Sequence, residues 1–302
     1  MTATRSQEED CWSAIAHHIS ETRAGPFQAI ERNAIGGGCI NSAWRVEGCN
    51  QRYFVKLNDP CQVSMFEAEA EGLRDLAHHG DLRVPSPICF GVSEHHAYLV
   101  LEHMDLFSPA SLTWEALGTG LAAQHRHTLP RFGWQRDNTI GATPQANAWH
   151  DDWLGFWRER RLGFQLELAY ENGYRGALQE RGGKLMESLD KFFPGYLPAA
   201  SLLHGDLWNG NCAADQYGNP VIFDPAVYYG DRECDLAMTE LFGPFPPRFY
   251  AAYREVHPLD PGYSVRKTLY NLYHILNHAN LFGGGYAAQA ERMMERLLSE
   301  IK

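Results

Sequence analysis

The sequence lacks several features that would point to a membrane-bound or secreted protein. It contains no run of about 18 consecutive apolar residues, so no membrane-spanning helix is predicted. Its seven cysteines are odd in number and include no Cys-x-x-Cys pair, so neither a disulfide framework nor a zinc knuckle is indicated. Residues 1–10 are polar and acidic, whereas a secretory signal starts with positive charge and an apolar core. We expect a cytoplasmic protein.

Positive charge is also scarce. The 302 residues include 26 Lys and Arg against 37 Asp and Glu, a net charge of −11. Nucleic acids are bound mainly through Lys and Arg that neutralise phosphates, so a nucleic-acid partner is not expected. An apolar content of 44% and an aromatic content of 12% exclude a disordered chain and suffice for one large domain or two ordinary ones.

The pattern of apolar residues changes along the chain. An amphipathic opening helix is followed by strand-like runs at 28–35, 42–47, 52–58, 88–92 and 97–103, with a helix at 62–79 inserted among them. Most of the remainder has helical spacing, for example 111–128, 231–242 and 262–282. The sequence therefore predicts an α+β protein with two lobes: a small five-stranded antiparallel lobe at 1–104 and a larger, mostly helical lobe at 105–302.

The densest polar cluster begins at His204-Gly205-Asp206 and continues to Asn211 and Asp224. Two carboxylates and an amide are oxygen ligands of the kind that Mg²⁺ prefers, and Mg²⁺ usually shares its coordination shell with substrate phosphates. A further carboxylate beside such a metal can orient an attacking hydroxyl and take its proton. The cluster has the working parts of a phosphoryl-transfer site, although each residue alone is common in loops.

A second half of such a site lies in the first lobe. The glycines Gly36, Gly37 and Gly38 let backbone amides approach a phosphate closely, although they also suit an ordinary turn. Lys56 on the third strand can supply a positive charge. On the 62–79 helix, Phe66, Ala70, Leu73 and Ala77 form the expected buried stripe. Glu69 lies beside that stripe, so it is the favoured partner of Lys56; the alternative is that the glutamates form a solvated face.

Taken in this order, the motifs resemble those of the protein-kinase-like superfamily, and within its aminoglycoside-phosphotransferase branch the chain looks like the fructosamine kinase (ketosamine-3-kinase) family. The resemblance spans about residues 30 to 285. The strings that carry it are Gly37-Gly-Cys-Ile-Asn41, Asp137-Asn-Thr-Ile-Gly-Ala-Thr-Pro-Gln145, Phe156-Trp-Arg-Glu-Arg160, His204-Gly-Asp-Leu-Trp-Asn-Gly-Asn211 and Asn277-His-Ala-Asn-Leu-Phe-Gly-Gly284.

The resemblance implies an enzyme that uses ATP and Mg²⁺ and assigns a role to each motif. It makes Lys56 the ligand of the nucleotide phosphates, held by Glu69, and Asp206 the catalytic base. Asn211 and Asp224 become the metal ligands. The backbone of the hinge residues Glu102, His103 and Met104 would hold adenine.

The acceptor implied by the resemblance is a small-molecule or protein-bound ketosamine, phosphorylated at the sugar O3 hydroxyl and thereby prepared for deglycation. Trp208 can stack on the sugar, or it can be a core tryptophan. The resemblance also places His278 at the border of the acceptor pocket. His274 and His278 are spaced as a metal pair, but a packed helix face is favoured. The alternatives are a related kinase of choline, an aminoglycoside or another amino alcohol, and a kinase-like binding module without catalysis.

Cys39 differs from the other cysteines because it lies in the glycine-rich segment near Lys56. Exposure and positive surroundings lower the pKa of a thiol and raise its reactivity. Cys39 is therefore a candidate redox site, with an inert thiol as the alternative. The chain is expected to be a monomer or a homodimer, and a disulfide through Cys39 is one route to the dimer.

Overall fold

The first part of the chain forms a helix and a five-stranded antiparallel sheet. The structure, a computed structural model, describes residues 2–36, 40–48 and 50–301. The sheet has the strand order β1-β2-β3-β5-β4, and all its neighbours pair antiparallel. The elements are α1 (Thr2–Thr22), β1 (Glu31–Ile35), β2 (Ser42–Gly48), β3 (Gln51–Asn58), α2 (Val63–His79), β4 (Pro87–Val92) and β5 (Ala97–Glu102).

Strand β3 separates two environments because side chains alternate between the faces of a strand. Tyr53, Val55 and Leu57 are buried on one face, in the cluster that also contains Trp12 and Ile15 of α1. Phe54 and Lys56 belong to the other face. The alternation thus directs the Lys56 side chain away from α1 and toward α2.

Helix α2 packs against β4 and β5, and seven of its residues are buried. The expected stripe is right at Phe66, Ala70 and Leu73, which are fully buried, but wrong at Ala77, which is exposed. Leu76 is buried in its place. The full set of buried residues is Met65, Phe66, Ala68, Ala70, Gly72, Leu73 and Leu76.

The rest of the chain is mainly helical, with short strands that carry polar loops. Strand β9 lies between β12 and β6, while β7 with β8 and β10 with β11 form hairpins. A π-helical segment, Trp157–Gly163, joins two of the helices. The elements are α3 (Ser111–Gln124), β6 (Thr128–Leu129), β7 (Asn138–Ile140), β8 (Thr143–Gln145), α4 (Trp153–Phe156), α5 (Phe164–Glu171), α6 (Ala177–Glu187), β9 (Ala200–Leu203), β10 (Cys212–Ala214), β11 (Pro220–Ile222), β12 (Tyr228–Gly230), α7 (Glu233–Leu241), α8 (Pro247–Val256), α9 (Tyr263–Phe282) and α10 (Tyr286–Glu300).

The α+β class and the five-stranded antiparallel sheet with one main helix are confirmed, although some element ends differ. The first strand begins at Glu31 rather than at 28, and the helix expected over 111–128 ends at Gln124. The main core is continuous from α2, through the inner face of β5, to β9 and the helices that follow. The division into lobes at residue 104 is therefore kept as a proposal. Within the described residues, no helix is both long enough and apolar enough to cross a membrane.

Candidate active site

Lys56 is held between two carboxylates that are far apart in the sequence. Its Nζ donates to Glu69 Oε1 at 2.7 Å and to Asp224 Oδ1 at 2.6 Å. Lys56 is only 6% exposed. Burial alone would lower the pKa of Lys56, but the charges of Asp224 and Glu69 outweigh it and raise that pKa, so the ammonium stays charged. Burial raises the pKa of Glu69 despite the attraction of Lys56.

Asp224 reaches the lysine from an unusual backbone conformation. Its φ is +56°, in the left-handed region that few residues other than glycine adopt, although aspartate tolerates it better than most. Its side chain is about half exposed. One oxygen accepts from Lys56, so the carboxylate can serve a second partner on its exposed side.

The loop that carries Asp206 is fixed by a buried aspartate on α7. The backbone N–H groups of His204 and Gly205 each donate to Asp235 at 2.8 Å, and His125 Nε2 donates to the same carboxylate at 3.1 Å. Burial raises the pKa of Asp235, but the His125 hydrogen bond and the other donors outweigh it and hold that pKa below its ordinary value. A charged Asp235 that accepts three hydrogen bonds therefore anchors this loop.

His204 braces the same loop. Its Nε2 lies 3.0 Å from the Phe223 carbonyl oxygen, to which it donates, and its Nδ1 accepts from the backbone N–H of Asp206 at 3.2 Å. Burial lowers the pKa of His204, which keeps the ring neutral and suits this pair of hydrogen bonds. His204 thus links the Asp206 loop to the residue just before Asp224.

Asp206 and Asn211 lie side by side. Asn211 Nδ2 donates to Asp206 Oδ2 at 3.0 Å and to the Asp206 carbonyl oxygen at 2.8 Å. Burial, helped by the negative charge of Asp224, raises the pKa of Asp206 to about 7, against the hydrogen bond from Asn211. A carboxylate whose pKa lies near neutrality is suited to accept a proton.

These groups face one cavity of about 550 Å³ between the sheet and the helical part of the chain. Lys56, Glu69, Asp206, Asn211 and Asp224 all line it. The other lining residues are Ile35, Gly36, Ile40, Asn41, Ala43, Phe54, Met65, Ala68, Asn138, Thr139, Gly141, Trp208, Gly210, Phe223, Pro225 and Ala226. The structure thus brings together all five side chains that sequence reasoning placed around the nucleotide and metal.

The remaining expectations fall in different places. Gly36 lines the cavity, whereas Gly37, Gly38 and Cys39 lie outside the described residues, so the phosphate cradle and the redox site stay predictions. The expected hinge lies at the end of β5, which ends at Glu102 and is followed by His103 and Met104. None of these three residues is part of the described cavity lining. Their role toward adenine also stays a prediction.

The two acceptor candidates are connected through an aromatic ring. Trp208 is partly buried, lines the cavity and meets Phe242 edge-on with ring centroids 6.2 Å apart. The ring centroids of His278 and Phe242 are 4.7 Å apart. His278 Nδ1 donates to the His274 carbonyl oxygen at 2.8 Å. His278 is absent from the described cavity lining. The hydrogen bond between the two histidines and the contacts of the His278 ring with Phe242 and Phe282 fit a packed helix face, the interpretation favoured for this pair.

Asn138, Thr139 and Gly141 line the cavity although sequence reasoning gave them no role. They belong to the segment 137–145, which was recognisable only as a string of the resembled family. Local pattern alone could not place a hairpin from the middle of the chain beside Asp224. Its position depends on contacts with α2 and with the residues after Asp224.

Comparison with protein families decides which group of kinase-like proteins this is. A model of the family described as fructosamine kinase matches residues 11–300. The chain belongs to the fructosamine kinase family. One curated relative, named "Probable ketoamine kinase" in Synechocystis sp., is 49% identical over 288 residues, covering 95% of this chain and 97% of its own. The chloroplastic protein-ribulosamine 3-kinase of Oryza sativa subsp. japonica is 41% identical over 287 residues, covering 94% and 83%.

Solved structures support the same family and the kinase-like fold. A candidate fructosamine-3-kinase from Haemophilus somnus 129PT superimposes with a TM-score of 0.89 at 29% identity, covering 97% of this chain and 99% of that one. An aminoglycoside phosphotransferase in ternary complex with ADP and hygromycin B superimposes with a TM-score of 0.61 at 14% identity, covering 95% and 98%, which shows the fold alone. The predicted kinase-like fold is confirmed.

In this member of the fructosamine kinase family, the chain that follows Asp224 is short and largely buried. From Asp224 the chain passes through the short strand β12 to the start of α7 at Glu233. These residues are buried from Ala226 onward, so they do not form a long exposed activation loop.

Proposed function

We propose that this protein is an ATP-dependent kinase that phosphorylates a ketosamine, such as a fructosamine or ribulosamine, at the sugar O3 hydroxyl. The observation that carries the proposal is the convergence of Lys56, Glu69, Asp206, Asn211 and Asp224 in one cavity of a fructosamine kinase family member. The similarity to a protein-ribulosamine 3-kinase at 41% identity supports the substrate class.

Asp206 is the proposed catalytic base. Its carboxylate would accept a hydrogen bond from the acceptor hydroxyl, orient the oxygen toward the phosphorus and take up the proton as the new bond forms. The raised pKa, about 7, makes the carboxylate a better proton acceptor than an ordinary aspartate while leaving it largely ionised at mildly alkaline pH. Asn211 donates to this side chain, and the backbone N–H of the preceding Gly205 donates to Asp235, so both the carboxylate and the loop that carries it are held in place.

Lys56 is the proposed phosphate ligand. Its ammonium lines the cavity beside Asp224, so a bound triphosphate would meet this positive charge on the cavity wall. Glu69 holds the lysine from the α2 side at 2.7 Å. Catalysis by such a site comes mainly from positioning and electrostatic stabilisation.

The donor set fits magnesium. The Asp224 carboxylate is about half exposed, and the Asn211 amide directs its nitrogen to Asp206, which leaves its oxygen for another partner. Mg²⁺ typically takes one or two protein oxygens and completes its shell with water and phosphate oxygens. Asn211 and Asp224 would hold the ion, which would neutralise charge on the phosphates.

The proposed product explains the use of the reaction. A ketosamine 3-phosphate is unstable and loses inorganic phosphate and the amine, so phosphorylation would free a glycated amine. Trp208, on the cavity wall, is placed to stack on the sugar, and we retain His278 as a residue of the acceptor border through its contact with Phe242.

A panel of acceptors tests the proposal. ADP release is measured with a fructosyl-amino acid, a ribulosyl-amine, choline and kanamycin at equal concentrations. We expect turnover with the two ketosamines and a phosphorylated product that releases free amine on standing. Turnover with choline or kanamycin alone would favour the alternative small-molecule kinases, and nucleotide binding without turnover on any acceptor would favour a binding module.

A further inference from the structure

One segment of the chain contacts both elements that carry the carboxylate partners of Lys56. The segment runs from Trp134 to Asn147 and contains the hairpin of β7 and β8; we refer to it as the 134–147 segment. On one side it is bound to α2, which carries Glu69. On the other it is bound to the residues that follow Asp224.

The contacts with α2 are ionic and polar. Arg136 donates to Glu67 Oε2 at 2.7 Å and to Glu71 Oε1 at 3.0 Å. Trp134 Nε1 donates to Asp75 Oδ2 at 2.8 Å. These three acidic residues recur every four positions, so they lie along one face of α2 and are bound over two turns of that helix.

The contacts with the Asp224 loop are hydrogen bonds to its backbone. Asn138 Nδ2 donates to the Val227 carbonyl oxygen at 2.8 Å, and Gln145 Nε2 donates to the Ala226 carbonyl oxygen at 3.2 Å. Gln145 Nε2 also donates to Asn138 Oδ1 at 2.9 Å, which joins the two amides. The segment therefore fixes the chain immediately after Asp224-Pro225.

The segment is itself anchored from the interior. Arg161 is fully buried and donates to the Ala146 carbonyl oxygen at 2.6 Å and to Asn147 Oδ1 at 2.7 Å. Its guanidinium stacks 4.1 Å from the Tyr228 ring centroid. Because a buried cation is costly to move away from its acceptors, this end of the segment is a rigid base for the contacts at the cavity.

We propose that Arg136 is a positioning residue: the 134–147 segment holds Glu69 and Asp224 on either side of Lys56, with Arg136 as its main attachment to α2. Arg136 acts through α2 and does not line the described cavity. Arg136 binds two carboxylates with two separate guanidinium nitrogens, so it fixes both the distance of α2 from the segment and the orientation of the helix. This inference rests on the proposed function, in which the Lys56–Glu69 pair serves nucleotide phosphates.

The first test is a comparison of Arg136→Ala with the unchanged enzyme. The buried residues of α2 keep the helix packed, but without the attachment it samples a wider range of positions, so Lys56 lies opposite Glu69 in fewer molecules. We expect kcat/KM for ATP to fall about 10-fold, with a rise in KM for ATP and little change in KM for the ketosamine. Arg136→Lys keeps the positive charge but cannot bind both carboxylates with separate nitrogens, so it should recover only part of the lost kcat/KM.

A double-mutant cycle separates positioning from a general loss of stability. Glu67→Gln with Glu71→Gln removes the same attachment from the α2 side. If Arg136 acts through these carboxylates, adding the pair of changes to Arg136→Ala should cause almost no further loss of kcat/KM. Arg131→Ala is the matched control, because Arg131 forms an ion pair with Asp151 at 2.6 Å outside α2 and should leave kcat/KM unchanged.

Hydrogen exchange provides a readout that does not depend on turnover. Backbone amides of α2 should exchange faster in Arg136→Ala than in Arg131→Ala, while β9 keeps its protection. Unchanged kcat/KM in Arg136→Ala, additive losses in the cycle, or unchanged exchange of α2 would each overturn the proposal. If Arg136→Ala fails to fold, the Glu67→Gln, Glu71→Gln variant replaces it. If the unchanged enzyme phosphorylates no ketosamine, the proposed function is refuted. The hydrogen-exchange comparison would still test whether Arg136 attaches the segment to α2.

Discussion

The α-carbon of Gly205 faces the carbonyl oxygen of Ala226 so closely that a β-carbon at position 205 would overlap that oxygen. The backbone N–H of Ala226 donates to the His204 carbonyl oxygen at 2.8 Å, so the two loops cannot separate freely. The φ of Gly205 is +83°, a conformation that disfavours any side chain. A glycine at this place is thus required by the contact between the Asp206 loop and the residues after Asp224.

The first prediction is that Gly205→Ala impairs both stability and turnover. The left-handed φ costs about 1–2 kcal/mol for alanine, and the overlap with Ala226 costs a further ~1–3 kcal/mol. The strain should displace the neighbouring Asp206, so kcat should fall as well. Thermal unfolding and ADP release measure the two effects.

Gly218→Ala is a matched control for that prediction. Gly218 has a φ of +84°, but a β-carbon there would meet only Thr113 Oγ1, at 4.0 Å. Only the conformational cost of about 1–2 kcal/mol should appear, with normal kcat. Equal effects of the two substitutions would show that the contact with Ala226 is unimportant.

The second prediction concerns Asp206→Asn. Asparagine is nearly isosteric and keeps the acceptor for the Asn211 amide, but it cannot take a proton. We expect kcat to fall about 10³-fold, while binding of a nucleotide analogue is retained. Unchanged turnover would remove Asp206 from the role of base.

The same substitution should alter how stability depends on pH. Burial, with the charge of Asp224, raises the pKa of Asp206 from its ordinary 3.8 to about 7, so ionisation of this carboxylate destabilises the folded protein. Without metal and nucleotide, Asp206→Asn should therefore be more stable than the unchanged protein by up to about 4 kcal/mol above pH 7. The advantage should shrink as the pH falls from 7 and vanish near pH 4. A constant difference across this range would contradict the raised pKa.

The third prediction concerns the lysine between two carboxylates. Lys56→Met removes the positive charge and leaves the buried Glu69 without a partner, which should lower stability by about 3 kcal/mol and abolish turnover. Adding Glu69→Leu removes the stranded charge, so it should restore most of the stability but none of the turnover. Chemical denaturation of both variants measures the difference. If the second substitution restored no stability, the stranded carboxylate would not be the cause.

Local periodicity predicted the Lys56–Glu69 contact because each residue is placed by its own element. The two-residue repeat of β3 directs Lys56 to the α2 side, and the helical repeat puts Glu69 beside the buried stripe. The same reasoning was wrong at Ala77, since the last turn of α2 buries Leu76 instead. The sequence pattern alone does not predict where the end of a helix stops packing against its neighbours.

Long-range contacts were beyond such reasoning. The contact of Lys56 with Asp224 joins residues 168 positions apart, and no local rule states that the two meet. The resemblance to known kinases placed both residues around one nucleotide, but it predicted no contact between them. Likewise, residues 137–145 were part of the family resemblance, but nothing in their sequence predicted that the Asn138 and Gln145 side chains bind backbone carbonyl groups after Asp224. Tertiary hydrogen bonds between side chains and loop backbone have no sequence period to detect.

The fourth prediction is that Asp235→Asn lowers both stability and kcat, although Asp235 does not line the described cavity. Asp235 accepts from two backbone N–H groups and His125, and the new amide would point a donor at one of these donors. Stability should fall by about 2–4 kcal/mol, and kcat should fall because the loop before Asp206 loses its anchor. Asp151→Asn, at an exposed aspartate, is the control and should change neither quantity.

The pH dependence identifies the cause of that loss. Although burial raises the pKa of Asp235, the His125 hydrogen bond and the other donors hold it below its ordinary value, so the ionised carboxylate stabilises the folded protein above about pH 4. The gap in unfolding free energy between the unchanged protein and Asp235→Asn should be constant from about pH 6 to 8. It should narrow as the pH falls below about 4 and the carboxylate becomes protonated in the folded state. A gap that persists into strong acid would mean that packing, rather than the charge-assisted hydrogen bonds, makes Asp235 necessary.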